Sequence, residues 1–526
     1  MTQRREFIKQ LGLGMGMIAF MPRTIDAFPF AGTALPRSMP EAEGVSSAGL
    51  IAFLDAIVKS KIEFHSLMVL RHGKVIAEGW WAPYAAPLKH TLYSLSKSFT
   101  STAVGLAINE GKFKLDSKVI SFFPEDLPET ISPNLAAMTV KDLLTMSTGH
   151  GKDTIQPMRT NTNGESWAKI FLSLPIDYPP GTHFLYNTGS TYMQSAIVQK
   201  TTGKPVLEYL KPRLFDPLGI EGMDWEVDPR GINVGGYGLR VRTEDIAKFG
   251  QLYLQNGKWN GKQLIPADWI VQATSKQIDN SPANPTRPNE ENDWAQGYGF
   301  QFWRCTHNAV RGDGAFGQFC VMMPAQDMVV AITSESFDLP RSLKLVWDYL
   351  LPAVQTGVKK DQAAQNDLSK KLKGLSISPP KQQNTSPLVA TVFGKDFTFG
   401  DNSYKLKSVR FETAGGESTI AFTRESGTFS IRCKPDQWTT MKDFKTEGIF
   451  AIQGRQTVST PLAASATWLN DTTFQLSLRY IETAHSDTFT FTFDGNELTL
   501  SFLNSVSKGN PSVADQRAPL AAKLAS

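Results

Sequence analysis

Cysteine and histidine are both scarce in this chain of 526 residues, with three of the first and seven of the second. Three cysteines (Cys305, Cys320, Cys433) make at most one bridge and leave a thiol over, so no disulfide framework holds the fold, and buried free thiols are the default expectation. The histidines (His65, His72, His90, His150, His183, His307, His485) show neither H-x-x-x-H nor H-E-x-x-H spacing and there is no C-x-x-C. No metal site is expected and no cofactor is implied. The glycines of Gly235-Gly236-Tyr237-Gly238 form no phosphate loop. Charge of one sign is missing too. A formal +4 with no basic stripe interleaved with aromatics argues against a nucleic-acid partner. No stretch reaches the ~20 apolar residues of a membrane-spanning helix.

What is present suits a globular enzyme: 41% apolar and 20% charged residues over a length that predicts more than one domain. The first residues read as a targeting segment. Arg4-Arg5-Glu6-Phe7-Ile8-Lys9 fits a twin-arginine pattern and the Leu11 to Met21 run is too short to span a bilayer, which predicts export by the twin-arginine machinery and a periplasmic or secreted enzyme. Residues 1–34 are assigned to this signal.

The chemistry concentrates at Tyr93-Ser94-Leu95-Ser96-Lys97-Ser98-Phe99. Apolar positions from Phe99 to Ile108 recur at helical spacing and Gly111 supplies a stop, so Ser94 falls near a helix N-terminus with Lys97 one turn away. Residues i and i+3 share a face, and the helix dipole favours negative charge developing on the serine oxygen. A free hydroxyl is a poor nucleophile and needs such a base, and a lysine serves only if its environment disfavours the ammonium.

Three stretches together resemble the serine β-lactamase and penicillin-binding protein superfamily, in its class C-like, esterase-like branch. They are a strand pair from Leu67 to Gly79 turning at Arg71-His72-Gly73-Lys74, the Ser94-x-Ser96-Lys97 segment, and Thr139-Val140-Lys141-Asp142-Leu143-Leu144-Thr145-Met146-Ser147-Thr148-Gly149. The resemblance extends to Pro179-Pro180-Gly181-Thr182-x-Phe184-x-Tyr186-Asn187-Thr188-Gly189, which makes Tyr186 the implied second general base, sharing a proton with Lys97 and Ser94. Two departures matter. The commoner family pattern is Tyr-x-Asn, where this chain has Thr188 with Asn187 one place earlier. The strand that usually carries Lys-Thr-Gly or His-x-Gly falls in Arg311-Gly312-Asp313-Gly314-Ala315-Phe316-Gly317-Gln318, so an acidic Asp313 stands near the usual cation. Thr188, Asp313, Gly314 and Ala315 are the candidate binding residues, and an N–H near Ala315 or Phe316 would join that of Ser94 in an oxyanion hole. His150 and His183 lie near these motifs but are expected to be structural or surface groups.

The expected fold is α+β: a β-lactamase/transpeptidase-like antiparallel sheet flanked by helices, with an all-α subdomain, over residues 35–353. A linker follows over 354–388, then a small all-β barrel or sandwich over 389–505 and a flexible tail over 506–526. Trp438, Trp468, Tyr480, Phe489 and Phe491 are candidate platforms for a glycan or polymer, although alternating aromatics also make an ordinary core. The functional expectation is an exported serine hydrolase of a small ester or amide, acting through an acyl-enzyme on Ser94 with Lys97 and Tyr186 as general acid and base. In its Ser94, Lys97 and Tyr186 pattern the chain resembles the 6-aminohexanoate-dimer hydrolase-like members, which implies ω-amino acid oligomers among the possible substrates. The alternatives are a β-lactamase or D,D-carboxypeptidase, and a non-catalytic receptor that has kept the fold.

Overall fold

The computed structural model describes residues 34–525 except 162, 283, 284, 286, 451 and 453–456; the twin-arginine segment lies outside them. Six antiparallel strands form the central sheet: β1 (Glu63–Arg71), β2 (Lys74–Trp80), β3 (Trp303–Arg304), β4 (Val310–Gly314), β5 (Gln318–Met323) and β6 (Met328–Glu335), in the order β2-β1-β6-β5-β4-β3. The β1–β2 hairpin turns at His72 and Gly73, both at positive φ (50° and 73°), the backbone that matches the twist of a two-residue hairpin.

Alternation along these strands divides the interior in two. Met68, Leu70, Cys320, Met322, Val329 and Ala331 face one core, while Leu67, Val69, Phe319, Val321, Val330 and Ile332 face the other. Helix α1 (Ser47–Ser60) covers the second face. The first face carries α2 (Ser96–Asn109), α3 (Thr188–Thr202) and α4 (Thr243–Leu254). Thr243 is the first residue of α4, after an Arg242 N-cap: the Asp245 carboxylate accepts the Arg242 N–H at 3.0 Å, and the Thr243 hydroxyl donates to Ser66 Oγ at 2.7 Å.

Helix α2 is buried on all sides from Ser96 to Ala107, which its hydroxyl-rich sequence tolerates because each hydroxyl finds a partner. Ser98 donates to the Gln301 carbonyl at 2.9 Å, Thr100 to that of Gly235 at 2.9 Å, and Ser101 to that of Phe300 at 2.7 Å. The helix is thereby anchored to the segments on either side of it, which fixes the turn from which it starts.

Two boundaries differ from those expected. Within 354–388, helix α5 (Gln362–Lys373) is capped by Asp361, whose carboxylate accepts the Ala364 N–H at 2.9 Å, and its Leu368 and the following Leu375 are buried in the core beneath α1. That stretch is part of the hydrolase domain's packing. The residues assigned to a tail include a strand, because Leu520–Leu524 pairs with two others and so lies inside the C-terminal sheet.

That sheet has ten strands: β7 (Asp396–Phe399), β8 (Leu406–Ala414), β9 (Glu417–Arg424), β10 (Gly427–Cys433), β11 (Thr439–Lys445), β12 (Ser459–Asn470), β13 (Thr473–Tyr480), β14 (Ser486–Asp494), β15 (Glu497–Asn504) and β16 (Leu520–Leu524). They run β10-β9-β8-β7-β16-β15-β14-β13-β12-β11 in an antiparallel, nearly closed barrel. Trp468, Tyr480, Phe489 and Phe491 are buried in its core, and Trp438 donates Nε1–H to the Ile377 carbonyl at 2.7 Å beside Arg479. These aromatics are packing groups and the first four present no open face to a sugar. All three cysteines are buried free thiols, as expected. Among the described residues no helix is long and apolar enough to cross a membrane.

Candidate active site

Ser94 sits in a 3-10 turn, Tyr93–Leu95, that runs directly into α2. It is partly exposed, whereas Lys97 on the first turn of the helix is 1% exposed. Lys97 Nζ lies 3.1 Å from Ser94 Oγ, 2.7 Å from the Gly236 carbonyl oxygen and 3.4 Å from Thr188 Oγ1. The i, i+3 relation expected from the sequence therefore holds, with two further partners supplied from distant segments.

Tyr186 precedes α3 and lies beside both groups. The Lys97 Nζ stands 4.9 Å from the centre of its ring. Burial pushes the phenol well above the ordinary tyrosine value, the charge of Asp313 adds to that, and the nearby Ser94 side chain opposes it. The resting side chain is thus a neutral phenol able to donate. Its ring stacks on Trp303 (centroids 5.5 Å apart, 23° between planes) and meets Tyr298 edge-on at 6.4 Å.

The shifted asparagine has a structural task. Asn187 is fully buried at the N-cap of α3, and its Oδ1 accepts from the N–H groups of Gly189 and Thr154 (both 3.1 Å) and from Thr154 Oγ1 (2.8 Å). Thr188, one residue on, is the group that reaches Lys97, and Asp153 Oδ1 accepts its backbone N–H at 2.9 Å.

Gly314 ends β4 against the turn that carries Ser94. A side chain there would bring Cβ to 2.1 Å from the Leu92 carbonyl oxygen and 3.1 Å from the Ser94 nitrogen, so only glycine lets the strand end lie this close. Ala315 and Phe316 form the turn that follows, closed by the Gly317 N–H donating to the Gly314 carbonyl at 3.1 Å. Asp313, two residues before Ala315, is buried and accepts from Arg311 Nε at 2.9 Å. The Arg311 guanidinium is fully buried, donates to the Asp293 carbonyl at 2.7 Å and to Cys305 Sγ at 2.9 Å, and lies 4.2 Å over Trp294.

Of the candidate residues, then, Ser94, Lys97, Tyr186 and Thr188 converge, Gly314 and Ala315 lie at the strand end beside Ser94, and Asp313 lies behind Tyr186 as the partner of Arg311. His150 is buried, with Nδ1 2.9 Å from Thr148 Oγ1 and its ring against Phe171, while His183 is exposed and stacks on Tyr178. The sequence reading missed Gly236, Asp153, Tyr298 and Trp303. Only Gly236 left a signal, in the glycine-rich run before α4.

A model of the Beta-lactamase family matches residues 53–355. The chain is 25% identical over 283 residues to the 6-aminohexanoate-dimer hydrolase of Paenarthrobacter ureafaciens, spanning 50% of this chain and 71% of that protein. It is 23% identical over 209 residues to Esterase EstB of Burkholderia gladioli, spanning 34% and 53% respectively. Among solved structures, the octameric penicillin-binding protein homologue from Pyrococcus abyssi matches 87% of this chain and 98% of its own at 15% identity and a TM-score of 0.45. With a family match over more than half its length and relatives that are hydrolases, the chain belongs to the Beta-lactamase family, as a serine hydrolase of that fold.

Proposed function

We propose that the protein cleaves a small ester or amide through an acyl-enzyme on Ser94, with Lys97 and Tyr186 as its acid and base. The observation that carries this reading is the 3.1 Å approach of the buried Lys97 amine to Ser94 Oγ, with the Tyr186 ring 4.9 Å from the same amine. Lys97 as the free amine turns its lone pair to Ser94 while its two N–H groups serve Gly236 and Thr188. As Ser94 Oγ attacks the carbonyl, its proton passes to Lys97, and the neutral Tyr186 phenol protonates the leaving alkoxide or amine. Transfer from Lys97 to the resulting phenolate restores the pair, and the same groups activate water for deacylation. The Ser94 N–H and an N–H of the Ala315–Phe316 turn bind the developing oxyanion.

The substrate class follows from charge. Arg311 is enclosed and bonded to Asp313, so the residue nearest in sequence to the usual family cation offers nothing to a substrate carboxylate. This favours uncharged esters and amides, including ω-amino acid oligomers of the kind named for the Paenarthrobacter relative, over penicillins and D-Ala-D-Ala peptides. Export through the twin-arginine route, to the periplasm or beyond, is part of the proposal and rests on Arg4-Arg5 and the apolar run behind it.

A panel of short-chain p-nitrophenyl esters and anilides, turned over by the wild type and by Ser94→Ala, tests the reading. Wild-type turnover that vanishes in Ser94→Ala supports it, and activity surviving in the variant sinks it. Covalent labelling by a fluorescent penicillin at Ser94 would instead favour the β-lactamase or D,D-carboxypeptidase alternative.

A further inference from the structure

The two segments expected to supply the oxyanion hole share an unusual backbone feature. Tyr93, immediately before Ser94, has φ of 50°, and Phe316, in the turn after β4, has φ of 64°. Bulky residues rarely adopt this left-handed region, and they persist there only where surrounding structure holds them. Ser336 N–H and Ser334 Oγ hold the Phe316 carbonyl from within the hydrolase domain, but one residue touches both side chains, and it comes from the C-terminal barrel.

That residue is His485, in the turn of 481–485 between β13 and β14. Its Nε2 is hydrogen-bonded to the Tyr93 hydroxyl, and its ring meets the Phe316 ring edge-on at 5.0 Å, while Tyr93 and Phe316 meet at 5.2 Å. The imidazole is oriented from behind by Glu335 at the end of β6, whose Oε1 lies 2.8 Å from Nδ1 and also accepts from Ser505 Oγ. A carboxylate only accepts, so Nδ1 carries a proton toward Glu335, which fixes the ring with Nε2 facing the Tyr93 hydroxyl. His485 is buried, and the turn and the strand leading into it are tied down as well. Arg479 holds Glu63 through both carboxylate oxygens (2.5 and 2.9 Å), and the Glu482 carbonyl accepts the Thr91 N–H at 3.1 Å. Glu63 and Glu335 are register partners on β1 and β6, so the barrel turn grips one end of the hydrolase sheet at adjacent positions.

We propose that His485 is a positioning residue for the catalytic turn: through Tyr93 and Phe316 the C-terminal barrel sets the two backbone segments that flank the oxyanion hole, and the hydrolase domain is incomplete without it. The proposal rests on the acyl-enzyme reading of Ser94. It gives the barrel a task in catalysis other than carbohydrate binding, and it predicts that a change made some way from Ser94, in another domain, acts on the chemical step.

The test uses the full chain and the ester turned over best by the wild type. Tyr93→Phe removes one hydroxyl and keeps the ring packing, whereas His485→Ala removes the imidazole. Misplacement of catalytic groups by about 1 Å can cost ~10²-fold, so each variant is expected to lose about 10- to 100-fold in kcat with KM within about twofold of wild type. The double variant should lose no more than the worse single one, since both break one link. Added imidazole should restore part of the rate to His485→Ala and none to Tyr93→Phe. The space vacated by the imidazole in His485→Ala adjoins a cavity of about 40 Å³ lined by Tyr93, Glu226, Arg240 and His485. Rates are compared well below each variant's Tm, so that a loss of stability is not read as a loss of positioning. Single variants within twofold of wild type in kcat, or losses that multiply in the double variant, overturn the proposal while leaving Ser94 in place. A wild type with neither Ser94-dependent turnover nor fluorophosphonate labelling overturns the acyl-enzyme reading and this inference with it.

Discussion

Arg311 and Asp313 are buried two residues apart on one face of β4, joined by a 2.9 Å bond from Nε to Oδ2. The pair stands behind Tyr186, and Asp313 contributes to holding that phenol protonated. A buried pair of this kind is weak evidence for stability as a unit, but breaking it leaves a charge enclosed without its partner.

Asp313→Ala is therefore expected to destabilise the fold by roughly 3–5 kcal/mol, the usual scale for orphaning a buried charge. Denaturant unfolding of variant and wild type measures it. Asp313→Asn keeps the volume, removes the negative charge beside Tyr186, and should move the alkaline limb of the rate profile to lower pH. An unmoved limb would show that Asp313 does not act on the phenol.

Lys97→Ala and Tyr186→Phe should each slow acylation by about 10² to 10⁴, the scale of lost general acid–base help. Stopped-flow release of p-nitrophenol in the first turnover reads this step directly. Near-wild-type acylation in either variant would mean the proton leaves Ser94 by another route.

Gly236→Ala tests the glycine whose carbonyl holds Lys97. An added Cβ would lie 2.7 Å from Thr188 Cγ2, 3.0 Å from the Thr188 carbonyl oxygen and 3.4 Å from Lys97 Nζ. Thr188 and Gly236 must then separate, taking two of the lysine's partners with them, and kcat should fall by about tenfold or more with a small change in Tm.

His150 predicts an acid-side loss of stability. Burial lowers its pKa from 6.5 to about 4, so in the folded protein it stays neutral where the unfolded chain already binds a proton. Its contribution is full above pH 6.5 and is lost as pH falls toward about 4. Between pH 7 and 5 the wild type should lose about 2 kcal/mol that His150→Gln does not, measured by urea unfolding at the two pH values. Equal losses would place the acid sensitivity elsewhere.

Local patterns carried much of the fold. The strand pair around Arg71-His72-Gly73-Lys74, helix α2 behind Ser94, the β5–β6 pair and most of the barrel strands were legible because each combines a clear period with a turn or stop residue. Strands β11, β12 and β16 were not. Thr439–Lys445 and Ser459–Asn470 alternate weakly, and Leu520–Leu524 is short and small-chained, so only its pairing with β7 and β15 makes it a strand.

By itself the sequence singled out Ser94, Lys97 and Tyr186 as candidates that belong together, because serine and lysine share one helical turn and the tyrosine motif has a recognisable frame. Tertiary structure decided what surrounds them. Gly236, Thr188, Trp303 and Asp313 reach the site across gaps of 90 residues or more, and no local period records such contacts. It also decided that Tyr186 rests as a phenol, because that depends on burial and on a charge brought from another strand. The meeting of Tyr93 with His485, 392 residues apart, is the extreme case: a contact between domains depends on how two finished cores pack, which neither segment encodes alone.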